Sequence, residues 1–252
     1  MFFLIVLILG LIAGFLSGLL AVGGGIIVIP VFLYILPLLG YDPLSVNQVT
    51  GISSVQVITG SLFAFLAHKK YGLMNKDLLY TVGIASGIGA LAGSILSKYV
   101  SGNVLLIVYF ITLVISLLAL LHRENISDEN AGRKRPLLVT VSSFITGILA
   151  GALGVGGAVL FIPILTHFYG MSFRTSISNV TYIVLIAAVM TFIGKTATNQ
   201  VPFDIVVFVI IGAFFGARIG TKLSHKLPAS VLRGILVAII LITAVRVLIS
   251  II

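Results

Sequence analysis

Two groups of residues interrupt an otherwise apolar chain, and both occur twice. The first is a glycine break, Gly23-Gly24-Gly25 in the first half and Gly156-Gly157 in the second. Glycine costs a helix about 1 kcal/mol relative to alanine, so two or three in succession unwind it locally. Such a break exposes N–H groups and the positive end of a helix dipole, which suits an anion. The bland alternative is a tight turn or close helix packing; recurrence in both halves favours binding. The second group is polar and uncharged. It comprises Asn47, Gln48, Thr50, Ser53, Ser54 and Gln56, then Ser176, Ser178, Asn179 and Thr181. Aligning Gly51 with Asn179 sets Thr50 opposite Ser178 and Ser53 opposite Thr181. Hydroxyls and amides can hold oxyanion oxygens without trapping them. They also serve as hydrogen-bonding glue between helices.

Other chemistries lack their residues. The acids, Asp42, Asp77, Glu124, Asp128, Glu129 and Asp204, all fall in loops or at segment ends. A carboxylate relay of the kind found in many proton-coupled pumps is therefore not expected, and a cation carrier is disfavoured. His68, His122, His167 and His225 sit at segment ends, away from a buried serine, which argues against a hydrolase. With no cysteine there is no disulfide, thiolate metal site or thiol nucleophile. No cofactor and no metal are expected.

The elements that position these groups follow from composition. The chain is 60% hydrophobic and 8% charged over 252 residues, with a mean hydropathy of +1.28. That is a membrane composition. Apolar segments run over 2–22, 24–38, 45–67, 78–97 and 103–122, then over 137–154, 158–169, 175–194, 203–222 and 229–252. Met1-Phe2-Phe3-Leu4 lacks the basic region of a cleavable signal peptide and reads as the start of a helix. The chain thus divides into a first transmembrane repeat (1–122), a polar linker (123–136) and a second repeat (137–252).

A shift of 133 positions superposes residues 14–30 on 147–163 with nine identities: Gly14, Leu16, Gly18, Leu20, Val22, Gly23, Gly24, Ile29 and Pro30. A shift of 127 brings Gly89 and Gly93 onto Gly216 and Gly220, and Asp77 onto Asp204. If the stretch containing each break crosses the membrane once, each half has four crossings and the halves are parallel. If it turns back, the halves are inverted. Inverted parity places Lys69, Lys70, Lys76, Arg123, Arg133, Lys134, Arg135, Arg174, Lys222, Lys226 and Arg233 on one side, against Lys98, Lys195 and Arg246, a ratio of 11 to 3. Parallel parity gives 9 to 5. The positive-inside bias selects inversion, with the linker cytoplasmic. The net charge of +9 is explained by topology, and nucleic acid is not an expected partner.

The expected fold is therefore an all-α polytopic membrane protein of two inverted repeats. Each has a Gly-broken helical hairpin plus three transmembrane helices, about 8–10 membrane segments in all. Segments 24–38 and 158–169 either cross or re-enter, and their shortness favours half-helices. Pro30 and Pro163 start or kink the returning helix. The i, i+4 glycines (Gly10/Gly14/Gly18, Gly89/Gly93, Gly212/Gly216/Gly220) read as packing surfaces. Arg218, and on weaker grounds Lys195, read as side chains that snorkel to the interface.

The pattern Gly14-x-x-x-Gly18-x-x-x-Val22-Gly23-Gly24-Gly25 with Pro30, repeated from Gly147 to Pro163, resembles the sulfite exporter TauE/SafE family. So does Gly212-Ala-Phe-Phe-Gly216-Ala-Arg-Ile-Gly220. The resemblance covers essentially the whole chain and extends to membrane transporters of the toluene sulfonate uptake permease type. It implies a bacterial inner-membrane transporter for sulfite, a sulfonate such as sulfoacetate, or a related organosulfur anion. The family's Thr-Ser pairing stands as Thr50-Gly-Ile-Ser53-Ser54 and is altered to Ser178-Asn179-Val-Thr181 in the second half. The expected binding residues are Gly23, Gly24, Gly25, Gly156, Gly157, Asn47, Gln48, Thr50, Ser53, Ser54, Ser178, Asn179 and Thr181. Expected partners are the lipid bilayer and the sulfur anion, with a homodimer allowed for. An anion channel is the first alternative and a membrane sensor or assembly protein the second.

Overall fold

The computed structural model describes residues 1–20, 24–69, 78–121, 136–171, 173–224 and 226–251. Gly23 and linker residues 123–135 lie outside them, as do the side chains of His68 and His167. The described residues are helical with no strand. The first half contains α1 (Phe2–Leu20), α2 (Gly25–Leu38) and α3 (Val46–Lys69). It continues with α4 (a π turn Leu79–Gly83, then Ile84–Leu96 and a 3-10 turn Ser97–Tyr99) and α5 (Gly102–Leu121). The second half repeats that order with α6 (Pro136–Leu153) and α7 (Ala158–Pro163 and a π turn Ile164–Phe168). There follow α8 (Phe173–Ala197), α9 (Phe203–Ser224) and α10 (Ala229–Ile251). Six of these helices are long and apolar enough to cross a membrane; Gly25–Leu38, Gly102–Leu118 and Leu137–Leu153 are shorter apolar stretches.

Both glycine breaks are real. After α1 the chain turns back. Gly24 folds against Ser17, and the Tyr41 ring, beyond α2, lies 5.1 Å from Phe2 at the start of α1. A helix of 19 residues reaches about 28 Å at 1.5 Å per residue, so α2 retraces most of that span. Pro30 and Pro163 end the first regular stretch of α2 and α7 and are each followed by a π turn, Val31–Ile35 and Ile164–Phe168. The missing proline N–H is the local reason that the ladder widens there.

Without a hydrophobic force between helices in lipid, close backbone approach must come from small side chains. Here it joins the first helix of each half to the fourth of the other. A Cβ on Gly10, Gly14 or Gly18 would stand 2.3–2.8 Å from the backbone of Val209, Ala213 or Ala217. From the other side, a Cβ on Gly212, Gly216 or Gly220 would stand 2.0–2.1 Å from the carbonyl oxygen of Leu7, Leu11 or Phe15. Residue numbers rise together along both helices, so α1 and α9 run parallel. The same holds for α6 and α4: Gly147 meets Ser86, Gly151 meets Ala90, and a Cβ on Gly93 would stand 2.0 Å from the Ile148 carbonyl oxygen. The glycine series expected to pack helices do so.

The pairing makes a stability prediction. Gly93→Ala and Gly220→Ala force backbones apart and should each cost about 1–3 kcal/mol, the usual range for overpacking. Gly234→Ala on α10, where a new Cβ meets nothing within 4 Å, should be neutral or mildly stabilising. Thermal melts followed by size-exclusion chromatography in detergent measure the difference.

Candidate functional site

Each break is built around a left-handed glycine. Gly24 (φ 69°) and Gly157 (φ 71°) precede α2 and α7, and Gly154 and Gly156 also have positive φ (68° and 72°). This is backbone that only glycine adopts freely. The first intrahelical bonds run from Ile27 N to Gly24 O (2.9 Å) and from Leu160 N to Gly157 O (2.9 Å). The N–H groups of Gly25, Ile26, Ala158 and Val159 thus belong to helix starts that their own helices leave unpaired. The breaks meet: a Cβ on Gly25 would stand 2.4 Å from Val155 Cα and 2.9 Å from Ser53 Oγ.

Helix α3 crosses this junction. Ser53 Oγ donates to Gly154 O at 2.8 Å, and Val57 lies against Gly156. Thr50, Ser53, Ser54, Ser178, Asn179 and Thr181 are all buried. The hydroxyl protons of Thr50, Ser53, Ser54 and Thr181 are already committed, however. Thr50 Oγ1 donates to Asn47 O (2.9 Å), Ser54 Oγ to Gly51 O (2.7 Å) and Thr181 Oγ1 to Ser178 O (2.8 Å). A carbonyl only accepts, so these oxygens turn lone pairs outward. Asn179 donates to Thr175 O (2.8 Å) and accepts from the Tyr182 hydroxyl (3.1 Å). Gln48 is exposed and closes a capping box with Ser45: its Oε1 accepts from Ser45 N and Oγ at 3.0 Å, while Gln48 N donates to Ser45 Oγ at 3.3 Å. Its side chain is occupied in starting α3.

Other buried groups have no hydrogen-bond partner. Gln56 is fully buried with neither Nε2 nor Oε1 paired, and Ser17 Oγ, Asn47 Oδ1 and Ser176 Oγ are also without partners. Ser53 and Gln56, three residues apart, share one side of α3. Ser17 packs directly against Gly24. Thus an unpaired hydroxyl lies against the first break, and an unpaired amide lies one helical turn beyond Ser53 on α3.

Lys195 departs from expectation. It does not snorkel: α8 extends to Ala197, and the Lys195 side chain is completely buried. Its Nζ donates to Thr50 Oγ1 (2.9 Å), Ser97 Oγ (2.7 Å), Ala152 O (3.0 Å) and Gln200 Oε1 (2.9 Å). The signal for this was the C-terminus of α8. Asn199 takes a left-handed conformation (φ 56°), with Gln200 N bonded to Lys195 O and Asn199 N to Thr196 O. That is a Schellman cap with asparagine in the glycine position, and it turns Gln200 back over Lys195. By contrast Arg218 is exposed on α9, as snorkelling requires.

One further residue holds a break in place. Ile26 O would ordinarily accept from residue 30, but Pro30 has no N–H. The buried Tyr109 hydroxyl on α5 donates to that carbonyl instead, at 2.7 Å.

Buried helices, two meeting chain breaks and a polar interior describe a multi-pass membrane transporter. A model of the family described as sulfite exporter TauE/SafE matches residues 6–247, and the chain belongs to that family. It is similar to "Probable membrane transporter protein YunE" of Bacillus subtilis, with 22% identity over 248 residues, covering 90% of each chain. A "Probable membrane transporter protein" of Haemophilus influenzae is 23% identical over 252 residues, covering 92% of each. "Probable membrane transporter protein ORF9" of Sinorhizobium is 26% identical over 240 residues, covering 94% of this chain and 88% of the relative. No solved structure matches.

Tyr109→Phe would leave Ile26 O buried and unpaired. The expected loss is about 1–3 kcal/mol of stability, the desolvation penalty of an orphaned acceptor. Its measure is the melting temperature of the purified variant against wild type, with Tyr80→Phe, an exposed tyrosine, as control.

Proposed function

We propose that this transporter is a secondary carrier for a small sulfur oxyanion, sulfite or a sulfonate such as sulfoacetate, working by alternating access across the bacterial plasma membrane. The reading rests most on Gln56: a fully buried amide with both polar atoms unpaired, on the side of α3 that carries Ser53 to the junction of the breaks. Leaving such a group unpaired in a membrane interior is costly, so a ligand with oxygen acceptors is its natural partner. The N–H groups at the starts of α2 and α7 add donors and two positive dipole ends. Sulfur oxyanions, as opposed to anions in general, come from family membership.

The inverted arrangement is part of the same proposal. With α2 and α7 each turning back, five segments per half make the first helix of the second half antiparallel to that of the first. The parallel pairs α1–α9 and α4–α6 are consistent with this. Residues 1–122 and 137–252 are then the two repeats and 123–136 a cytoplasmic linker. Lys195, counted with the opposite side, is enclosed in protein and leaves that tally, which favours the assignment.

Flux into proteoliposomes tests the reading. Sulfite or sulfoacetate uptake should saturate and be accelerated by unlabelled anion trapped inside; flux that never saturates would indicate a channel. Gly24→Leu and Gly157→Leu should insert normally yet abolish uptake, because both positions need positive φ and a Cβ at Gly24 would strike Ser17 at 2.5 Å. Gln56→Leu should weaken apparent affinity by about tenfold to a hundredfold, the loss of one hydrogen bond to a charged oxygen. Full activity in all three variants would overturn the site.

A further inference from the structure

We propose that Lys195 is the anion-selecting residue of this transporter, a buried amine that takes a direct contact to the substrate oxyanion at the second glycine break. The inference rests on the reading of a sulfur-anion site between the breaks, and assigns a residue that the glycine and hydroxyl pattern does not include.

The ammonium is enclosed by neutral oxygens alone. Its four acceptors are two hydroxyls, one amide carbonyl and one main-chain carbonyl, and none is a carboxylate. Of the acids among the described residues, Asp42 and Asp204 are exposed. A buried lysine ordinarily pairs with an acid, because neutral dipoles repay only part of the lost hydration. Among the described residues no acid stands against it. With three protons and four acceptors, the ammonium can yield one contact to an incoming oxygen while keeping two others.

The cradle is built, and three glycines build it. Gly154 has no side chain where a Cβ would stand 2.1 Å from Thr50 O, which seats the break on α3. At Gly51 a Cβ would stand 2.3 Å from Gln200 O, and at Gly194 it would stand 1.9 Å from Ser94 Oγ. These contacts bring the α8–α9 loop onto α3, and α4 onto α8. The three side-chain acceptors are then oriented by further bonds. The Thr50 proton is given to Asn47 O at 2.9 Å, which leaves its lone pairs to Lys195. Gln200 Nε2 donates to Ser94 O (3.0 Å) and Thr198 Oγ1 (2.6 Å), so that Oε1 faces Lys195 and Ser97. An ammonium that served only as glue would not require such a prearranged shell.

Its position joins it to the candidate site. Thr50 lies one helical turn before Ser53, whose hydroxyl holds Gly154 O, and Ala152 lies two residues before Gly154. Lys195 therefore touches both strands of the junction, α3 and the end of α6, within a turn of the break. It also bridges the halves, since Thr50 and Ser97 come from the first and Ala152 and Gln200 from the second. Along α3, Thr50 lies one turn before Ser53 and Gln56 one turn after it, so the Lys195 contact and the unpaired amide bracket the residue that holds Gly154.

The test compares wild type, Lys195→Gln and Lys195→Arg in proteoliposomes. Sulfite uptake is followed against concentration, and methanesulfonate is compared with its neutral analogue dimethyl sulfone as inhibitor. In Lys195→Gln the KM for sulfite should rise about tenfold or more, the loss of one charge-assisted contact. The preference for methanesulfonate over dimethyl sulfone should collapse, while Lys195→Arg retains it. A purely structural lysine would lower the amount of folded protein without moving that preference. If Lys195→Gln does not fold, wild-type protein carrying 13Cε-labelled lysine replaces it, with the Lys195 signal assigned by its loss in Lys195→Arg. That signal should shift on sulfite addition and saturate with transport. An unchanged preference in Lys195→Gln, or a Lys195 signal indifferent to saturating sulfite, would overturn this assignment and leave the carrier reading intact. Absence of any saturable sulfur-anion flux in wild type would overturn the carrier reading and this assignment with it.

Discussion

The architecture depends on two seams where helices touch backbone to backbone. In hydrocarbon an apolar side chain gains nothing from a neighbouring helix that lipid would not also supply. Cohesion therefore has to come from close packing, and the glycines at α1–α9 and α4–α6 give the closest packing a helix pair can reach. Both seams connect the first helix of one half to the fourth of the other. The halves are consequently interleaved, each holding a helix of its partner. Any motion that exposes the breaks alternately to the two sides has to carry these pairs as units.

With the seams fixed, the remaining problem is how an unwound backbone survives inside a membrane protein. The structure solves it by placing the breaks against each other and against α3, away from lipid. Positive φ at Gly24 and Gly157 lets the chain reverse without strain, and the prolines stop the returning helix from closing its ladder. The two breaks are not equivalent in their support. The carbonyl that Pro30 leaves unpaired is satisfied by Tyr109, whereas the corresponding position on α10, at a shift of 127, is Leu236. A lysine bonds to Ala152 O near the end of α6, while its counterpart at the same shift is His68. Two halves with one backbone plan thus carry different chemistry.

This contrast also marks what was legible in the sequence. Segments, breaks and glycine series were readable because each is a local consequence of residue type: hydropathy, missing Cβ, missing N–H. The bounds of α2 and α7 follow the glycines and prolines closely for the same reason. Partners were not readable. Nothing near Tyr109 points to Ile26, 83 residues earlier. Lys195 looked like an interfacial lysine because apolar sequence thins out beside it, but the helix runs on to Ala197 and tertiary contacts cover the charge. Gln48 was grouped with the polar cluster on composition, although its spacing from Ser45 is that of a helix cap. Composition places polar residues in a cluster; it does not say which way their protons point.

Proton direction changes the chemistry of the site most. As a list, Thr50, Ser53, Ser54 and Thr181 look like donors for an oxyanion. Each spends its only proton on a carbonyl at 2.7–2.9 Å, so together they present lone pairs. A wall of lone pairs repels an anion and suits a cation, and Lys195 is the cation that Thr50 faces. The donors left for substrate are main-chain N–H groups at the two helix starts, the Gln56 amide, and whichever ammonium proton Lys195 can release. On the proposed reading the hydroxyls orient the charge, while the backbone and the charge receive the anion. On the proposed reading, that division reconciles an interior rich in serine and threonine with a negative substrate.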